Sequence, residues 1–145
     1  MDHSFFMYKC IELAGKATAR GDSPVGSLIV LNGRVIGEGI EGGRTFSDIT
    51  FHAEIEAIRE ASKFLSNQDL SGAVLYTTHE PCIMCSYVIR HAKISTLVIG
   101  VKTKETGGLS SAYPLLLDDT IKKWGKPPQL MLGVLEKECR DLISD

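Results

Sequence analysis

Apolar residues recur at Phe6, Cys10, Leu13, Ala14 and Ala17 with helical spacing, and Gly21 to Pro24 stops the pattern. Two apolar runs follow, Ser27 to Leu31 and Arg34 to Ile40, joined by Asn32-Gly33, a strong hairpin signal. The polar, glycine-bearing stretch from Glu41 to Ile49 predicts a loop. A helix is expected from about Phe51 to Leu65, with Ile55, Ile58, Ser62 and Leu65 on its inner face. Ser71-Gly72 turns the chain into a third strand, Ala73 to Thr78. The pattern then gives a helix from Pro81 to about Ala92, a strand from Ser95 to Val101, and a second Gly/Ser/Thr loop from Lys102 to Ser111. Tyr113 to Trp124 is helical in pattern, with Pro114 in its first turn. Pro127-Pro128 forces an extended entry to a short strand, Gln129 to Leu132. Val134, Leu135, Cys139, Leu142 and Ile143 mark a final amphipathic helix.

Helices that join the third, fourth and fifth strands imply parallel neighbours with right-handed crossovers. With the antiparallel hairpin, this predicts an α/β fold: a three-layer α/β/α sandwich on a mixed five-stranded sheet. At 145 residues and 43% hydrophobic, residues 1–145 are expected to form a single domain with a substantial core. The net charge of −2 gives no global footprint for nucleic acid, although local basic patches are compatible with it. No apolar run approaches the roughly 18 residues of a membrane helix, and Met1-Asp2-His3-Ser4 does not open a signal peptide. No membrane association is expected. Four cysteines in an unexported chain argue against a disulfide framework, so the expected compartment is the cytoplasm. Cys10 and Cys139 fall inside helical patterns and read as core residues.

The chemistry concentrates in Glu80-Pro81-Cys82-Ile83-Met84-Cys85 and in His52-Ala53-Glu54. Cys82 and Cys85 are spaced to share one helical face behind a proline that can open a helix. A helix N-terminus favours the thiolate, the form that binds metal. A redox Cys-x-x-Cys would not need His52 and Glu54. With His52 as third ligand and no fourth Cys or His at comparable spacing, one position stays open, as in catalytic zinc sites. Glu54, two residues past the histidine, is the expected proton carrier; a plain helix-capping role is the alternative. His-x-Glu with Pro-Cys-x-x-Cys matches the known signature of zinc deaminases. Zinc lowers the pKa of water to about 7. The expected reaction adds that water to a ring carbon bearing an exocyclic amine and expels ammonia.

The likeness extends beyond the motif. Ser23-Pro24-Val25-Gly26, Ala53-Glu54-Ile55 with Ala57-Ile58, and Thr77-Thr78 before Glu80-Pro81-Cys82 resemble the cytidine-deaminase superfamily. The resemblance is to its branch of tRNA adenosine deaminases, guanine deaminases and fungal-type cytosine deaminases. The tail, Gly133-Val134-Leu135-Glu136 with Glu138-Cys139, is especially similar to the bacterial tRNA adenosine deaminases. The resemblance implies one Zn2+ per chain and a homodimer. It also implies substrate contacts among Val25, Gly26, Glu41, Phe51, Ala53, His79, Glu80 and Pro81. Arg44, Lys102 and Lys104 are candidates for an RNA backbone.

Two departures shape the expected substrate. The branch usually carries a basic, aromatic C-terminal extension, where this chain reads Leu142-Ile143-Ser144-Asp145, and usually has Asn where Glu41 stands. A carboxylate only accepts hydrogen bonds, so Glu41 facing the pocket would favour rings that present N–H or NH2, such as guanine-like or amino-triazine rings. A small-molecule heterocyclic base or nucleoside is therefore the first expectation and tRNA adenosine the alternative. A third reading is a non-catalytic zinc-bearing subunit that binds nucleic acid or a partner deaminase.

Overall fold

Asp2 opens the first helix, its carboxylate accepting from the N–H groups of Ser4 and Phe5, which have no partner within the helix. In the computed structural model, which describes residues 2–143, α1 spans His3–Ala19 and buries Phe6, Met7, Cys10, Leu13, Ala14 and Ala17. Met1, Ser144 and Asp145 lie outside the described residues. β1 (Gly26–Leu31) and β2 (Arg34–Ile40) form the expected antiparallel hairpin. Asn32 and Gly33 both take positive φ at its turn, the conformation that an Asn-Gly pair adopts readily. α2 (Ala53–Leu65), β3 (Val74–His79), α3 (Ile83–His91), β4 (Thr96–Val101), β5 (Gln129–Leu132) and α4 (Glu136–Asp141) complete the order. The sheet runs β2-β1-β3-β4-β5, with β3, β4 and β5 parallel and β1 antiparallel to both neighbours.

Alternation along the strands divides the core between two faces. Ile29, Leu75, Leu97 and Ile99 pack against Ala57, Ile58 and Ala61 of α2 and Ile89 of α3. Leu28, Val30, Tyr76 and Val98 pack against Phe6, Met7, Cys10 and Leu13 of α1 and Cys139 of α4. The expected α/β/α sandwich is therefore present, and Cys10 and Cys139 are core residues.

Four expectations need correction. α2 begins at Ala53 and α3 at Ile83, so His52 and Cys82 are N-cap residues in extended conformation, not first-turn residues. On α2 the residues nearest the sheet are Ala53, Ala57 and Ala61, each fully buried, whereas Ser62 and Leu65 are only half-buried. The cause is backbone-to-backbone packing: a Cβ on Gly39 would lie 1.8 Å from the Ala53 carbonyl oxygen, and one on Gly37 2.2 Å from that of Ala57. Such an approach leaves room only for alanine on the helix. The final helix keeps only Glu136–Asp141, because Leu135 takes a left-handed conformation.

The fourth correction is the helix expected over Tyr113 to Trp124, of which only a 3-10 turn at Lys122–Trp124 forms. Arg90 of α3, 2% exposed, takes the carbonyls such a helix would use internally. Its guanidinium donates to Leu115 O at 2.6 Å, Asp118 O at 2.7 Å and Gly125 O at 3.5 Å, and lies 5.1 Å from the centre of the Trp124 ring. Asp118 makes its own turn by accepting from the Thr120 N–H. A buried arginine shared among three carbonyls outweighs the weak helical period of this segment.

Gly39→Ala should push the N-terminus of α2 off the sheet and cost about 1–3 kcal/mol, as overpacked cores do. Thermal denaturation should show a Tm several degrees lower, and chelator competition should show weaker zinc retention. An unchanged Tm would mean that the close approach of α2 to β2 is not needed.

Candidate active site

α2 and α3 both start at the carboxyl edge of the parallel strands, where ligand sites of open α/β sheets form. His52 ends the loop after β2 and caps α2, and Cys82 follows Pro81 and caps α3. The Cys82 sulfur accepts from the Cys85 N–H at 3.4 Å, which fixes it at the positive end of the helix. His52 Nδ1 lies 3.5 Å from Cys82 Sγ and 3.3 Å from Cys85 Sγ. Tetrahedral zinc, with bonds of about 2.3 Å to sulfur and about 2.0–2.1 Å to nitrogen, sets such atoms about 3.5 Å apart. The donor set therefore fits zinc. Among the described residues it is the one group of three or more His, Cys, Asp or Glu side chains close enough to hold a metal.

The three donors are electrostatically coupled. The hydrogen bond from the Cys85 thiol, with His52 beside it, pulls Cys82 down to about 4. That hydrogen bond and burial push Cys85 up, so the pair shares one proton and Cys82 carries the charge. The bond to Cys82 lifts His52 to about 9. Glu54 sits in the first turn of α2, 4% exposed, and its Oε2 accepts from Thr77 Oγ1 at 3.2 Å. Burial raises its carboxyl to about 7, and the Cys82 charge adds to the rise.

The other expected contacts divide into those at the cluster and those occupied elsewhere. Glu41 is half-buried beside His52, with the Gly43 and Ala53 N–H groups turned to its carboxylate, and burial raises its pKa. Its own N–H donates to Val25 O at 3.1 Å, joining the start of β1 to the end of β2. Phe51 is half-buried and stacks on Phe46 with ring centres 4.3 Å apart. Gly26 and Ala53 are close-packing positions against α1 and β2. His79 is 5% exposed and burial lowers it to about 4, so its ring is neutral near pH 7. Its Nδ1 pairs with Thr78 Oγ1 at 2.8 Å, and its Nε2 meets no hydrogen-bonding partner among the described residues.

Glu80 and Pro81 are taken up by the loop after β4. Glu80, 3% exposed, accepts from the N–H groups of Thr103, Leu109 and Ser110 and from the Ser110 hydroxyl. Pro81 O accepts from Gly108 N and Ile83 N donates to Thr106 O, so the loop grips the chain on both sides of Cys82. A second buried carboxylate, Asp22, holds the loop after β2. It accepts from the N–H groups of Arg44 and Thr45, the Thr45 hydroxyl and Arg20 Nε. Nothing in the local sequence signals Arg44 and Thr45 as partners, since they are 22 and 23 residues away. Arg44, Lys102 and Lys104 are exposed on these two loops.

Cys82→Ala or Cys85→Ala should lose zinc and activity together with some stability, because each ligand ties two elements through the metal. Full zinc occupancy in either variant, by metal analysis, would refute the ligand assignment. The hydrogen bonds of Asp22, first that from Thr45, hold it at about 2 against an ordinary 3.8. A depressed carboxylate stabilises the fold above its unfolded pKa and loses that effect as pH falls through the folded value. Its hold on the loop should therefore be complete above pH 3.8 and fade towards pH 2. Asp22→Asn should speed hydrogen exchange at the Arg44 and Thr45 amides; unchanged protection there would show that the carboxylate does not anchor the loop.

Comparison with known proteins agrees with this geometry. The family described as the cytidine and deoxycytidylate deaminase zinc-binding region matches residues 1–101. The tRNA-specific adenosine deaminase of Haemophilus influenzae is 39% identical over 95% of this chain and 79% of its own length. That of Aquifex aeolicus is 35% identical over 100% of this chain and 93% of its own. A solved structure from work on A-to-I editing by tRNA:A34 deaminases superposes with a TM-score of 0.88 at 34% identity, covering 96% of this chain and 99% of that one. The guanine deaminase of Bacillus subtilis gives a TM-score of 0.68 at 36% identity over 70% of this chain and 66% of its own. A zinc-fitting His/Cys/Cys cluster on a sheet and helix arrangement shared with these enzymes leaves one conclusion: the chain belongs to the cytidine-deaminase superfamily and is a zinc-dependent nucleobase or nucleoside deaminase.

Proposed function

We propose that this deaminase converts adenosine to inosine in tRNA. The observation that carries the reading is 39% identity to a tRNA-specific adenosine deaminase along 95% of this chain. The order expected from the sequence, free base or nucleoside before tRNA, is reversed by that similarity. The exposed Arg44, Lys102 and Lys104, on the two loops held by Asp22 and Glu80, suit the phosphates of an RNA loop. A single-stranded anticodon loop can also offer an unstacked base to a recessed site.

In this reading His52, Cys82 and Cys85 hold the zinc, and Glu54 moves the proton. A zinc ion held there would polarise a water and lower its pKa to about 7. Water adds to the ring carbon bearing the amine. Glu54 takes a proton from that water and returns it to a ring nitrogen. It then carries the remaining proton of the added hydroxyl to the amine, which leaves as ammonia, so the ring gains one oxygen and loses one nitrogen. Neighbouring groups hold Glu54 in a buried setting where its carboxyl is raised to about 7, suited to taking and giving a proton near neutrality. We also propose a homodimer in the cytoplasm; the exposed Tyr87, stacked on His91 of α3 beside a groove of about 210 Å³, suits a subunit contact.

A second reading is a guanine-like free base. Glu41 favours it, because a carboxylate beside His52 meets an N–H or NH2 edge better than a bare ring nitrogen. An ammonia-release panel of tRNA transcripts, adenosine, guanine and cytosine separates the two. Inosine formed in tRNA supports the first; release from guanine alone supports the second. On the preferred substrate, Glu54→Ala should keep its zinc and lose at least about 100-fold in turnover. Turnover near wild type with zinc retained would sink the catalytic assignment.

A further inference from the structure

Two buried hydroxyls stand between Glu54 and the sheet. Thr77 of β3 pairs with Ser27 of β1 across the strands, and both side chains are fully buried. Ser27 Oγ donates to Thr77 Oγ1 at 2.9 Å, and Thr77 Oγ1 donates to Glu54 Oε2 at 3.2 Å. A hydroxyl has one proton, so Thr77, committed to Glu54, receives its own bond from Ser27 and the chain runs one way. On this face the next residues along the two strands are Ile29 and Leu75, both in the apolar core. Buried hydroxyls among such neighbours are costly unless bonded, and an aliphatic pair would fill the space. What they add is an aimed hydrogen bond.

That bond acts on a soft coordinate. The terminal torsion of a glutamate is broad, so a buried carboxylate with no fixed partner samples a range of orientations. Thr77 is stiff at χ1 because it is β-branched, and it rises from the rigid sheet. We propose that Thr77, held in place by Ser27, is a positioning residue that fixes the Glu54 carboxylate through Oε2 and leaves Oε1 to take and return the proton. The assignment rests on Glu54 as the proton carrier. It adds a specific device to that reading: the sheet, not the helix that bears Glu54, sets the angle of its carboxylate.

The near-isosteric Thr77→Val tests it in the zinc-loaded full chain, on whichever ring of the panel releases ammonia. kcat should fall about 10-fold, the lower end of the loss seen when partners supporting a site are removed, with KM and zinc content unchanged; Tm should drop by a few degrees, because the buried Ser27 hydroxyl loses its acceptor. Thr77→Ser should restore most of the rate, and Ser27→Ala should lose less than Thr77→Val. In a Glu54→Gln background, Thr77→Val should change nothing further. A crystal structure of zinc-loaded Thr77→Val should show the Glu54 carboxylate rotated or split between orientations. An unchanged kcat with Glu54 in its original orientation overturns the proposal. So does a loss of rate that tracks a loss of zinc and is not restored by serine. If wild-type protein releases ammonia from no ring, the deaminase reading fails, and the Glu54 orientation in the crystal structure alone decides the positioning role.

Discussion

Two helix N-termini must meet within a few ångströms before a histidine from one and two cysteines from the other can share an ion. The rest of the structure serves that convergence. β3 and β4 run parallel, so α3 starts at the same edge of the sheet at which α2 starts. Gly37 and Gly39 let α2 sink onto β2 until backbones touch, which brings His52 and Glu54 down to the level of Cys82. Helix ends also supply the electrostatics, since unpaired N–H groups and the dipole favour a thiolate there. One arrangement thus provides both geometry and charge.

The loops that flank the cluster are ordered by the same device used twice. Asp22 and Glu80 are buried carboxylates on or beside regular elements, and each gathers several N–H and O–H groups from an irregular segment. Charge-assisted bonds of this kind are strong enough to fix loops that have little apolar content of their own. Arg90 does the converse, a buried cation gathering carbonyls from the segment after the second loop. Because Glu80 immediately precedes Pro81 and Cys82, the loop after β4 and the metal ligand are placed by one stretch of chain. The cluster thus lies between two anchored loops that expose Arg44, Lys102 and Lys104, with Glu41 half-buried beside His52.

Much of the fold and the whole metal cluster were legible in the sequence, because each was written in local terms. Alternating or helical apolar periods marked α1, the hairpin, α2, β3, α3, β4 and β5. The ligands were readable because thiols at that spacing, a histidine followed by a glutamate, and a proline at a helix start have few other chemical uses together. Around the cluster, Glu80 and Pro81 also bond the loop after β4, and Gly26 and Ala53 pack closely against α1 and β2, partners that no local pattern signals. What the chain could not announce was long-range hydrogen bonding. Asp22 finds Thr45, Thr77 finds both Ser27 and Glu54, and Arg90 dissolves an expected helix at Tyr113 to Trp124, all across gaps that no periodicity spans. Local patterns record which face of an element is apolar; which polar groups meet once those faces are buried is decided only by packing in three dimensions.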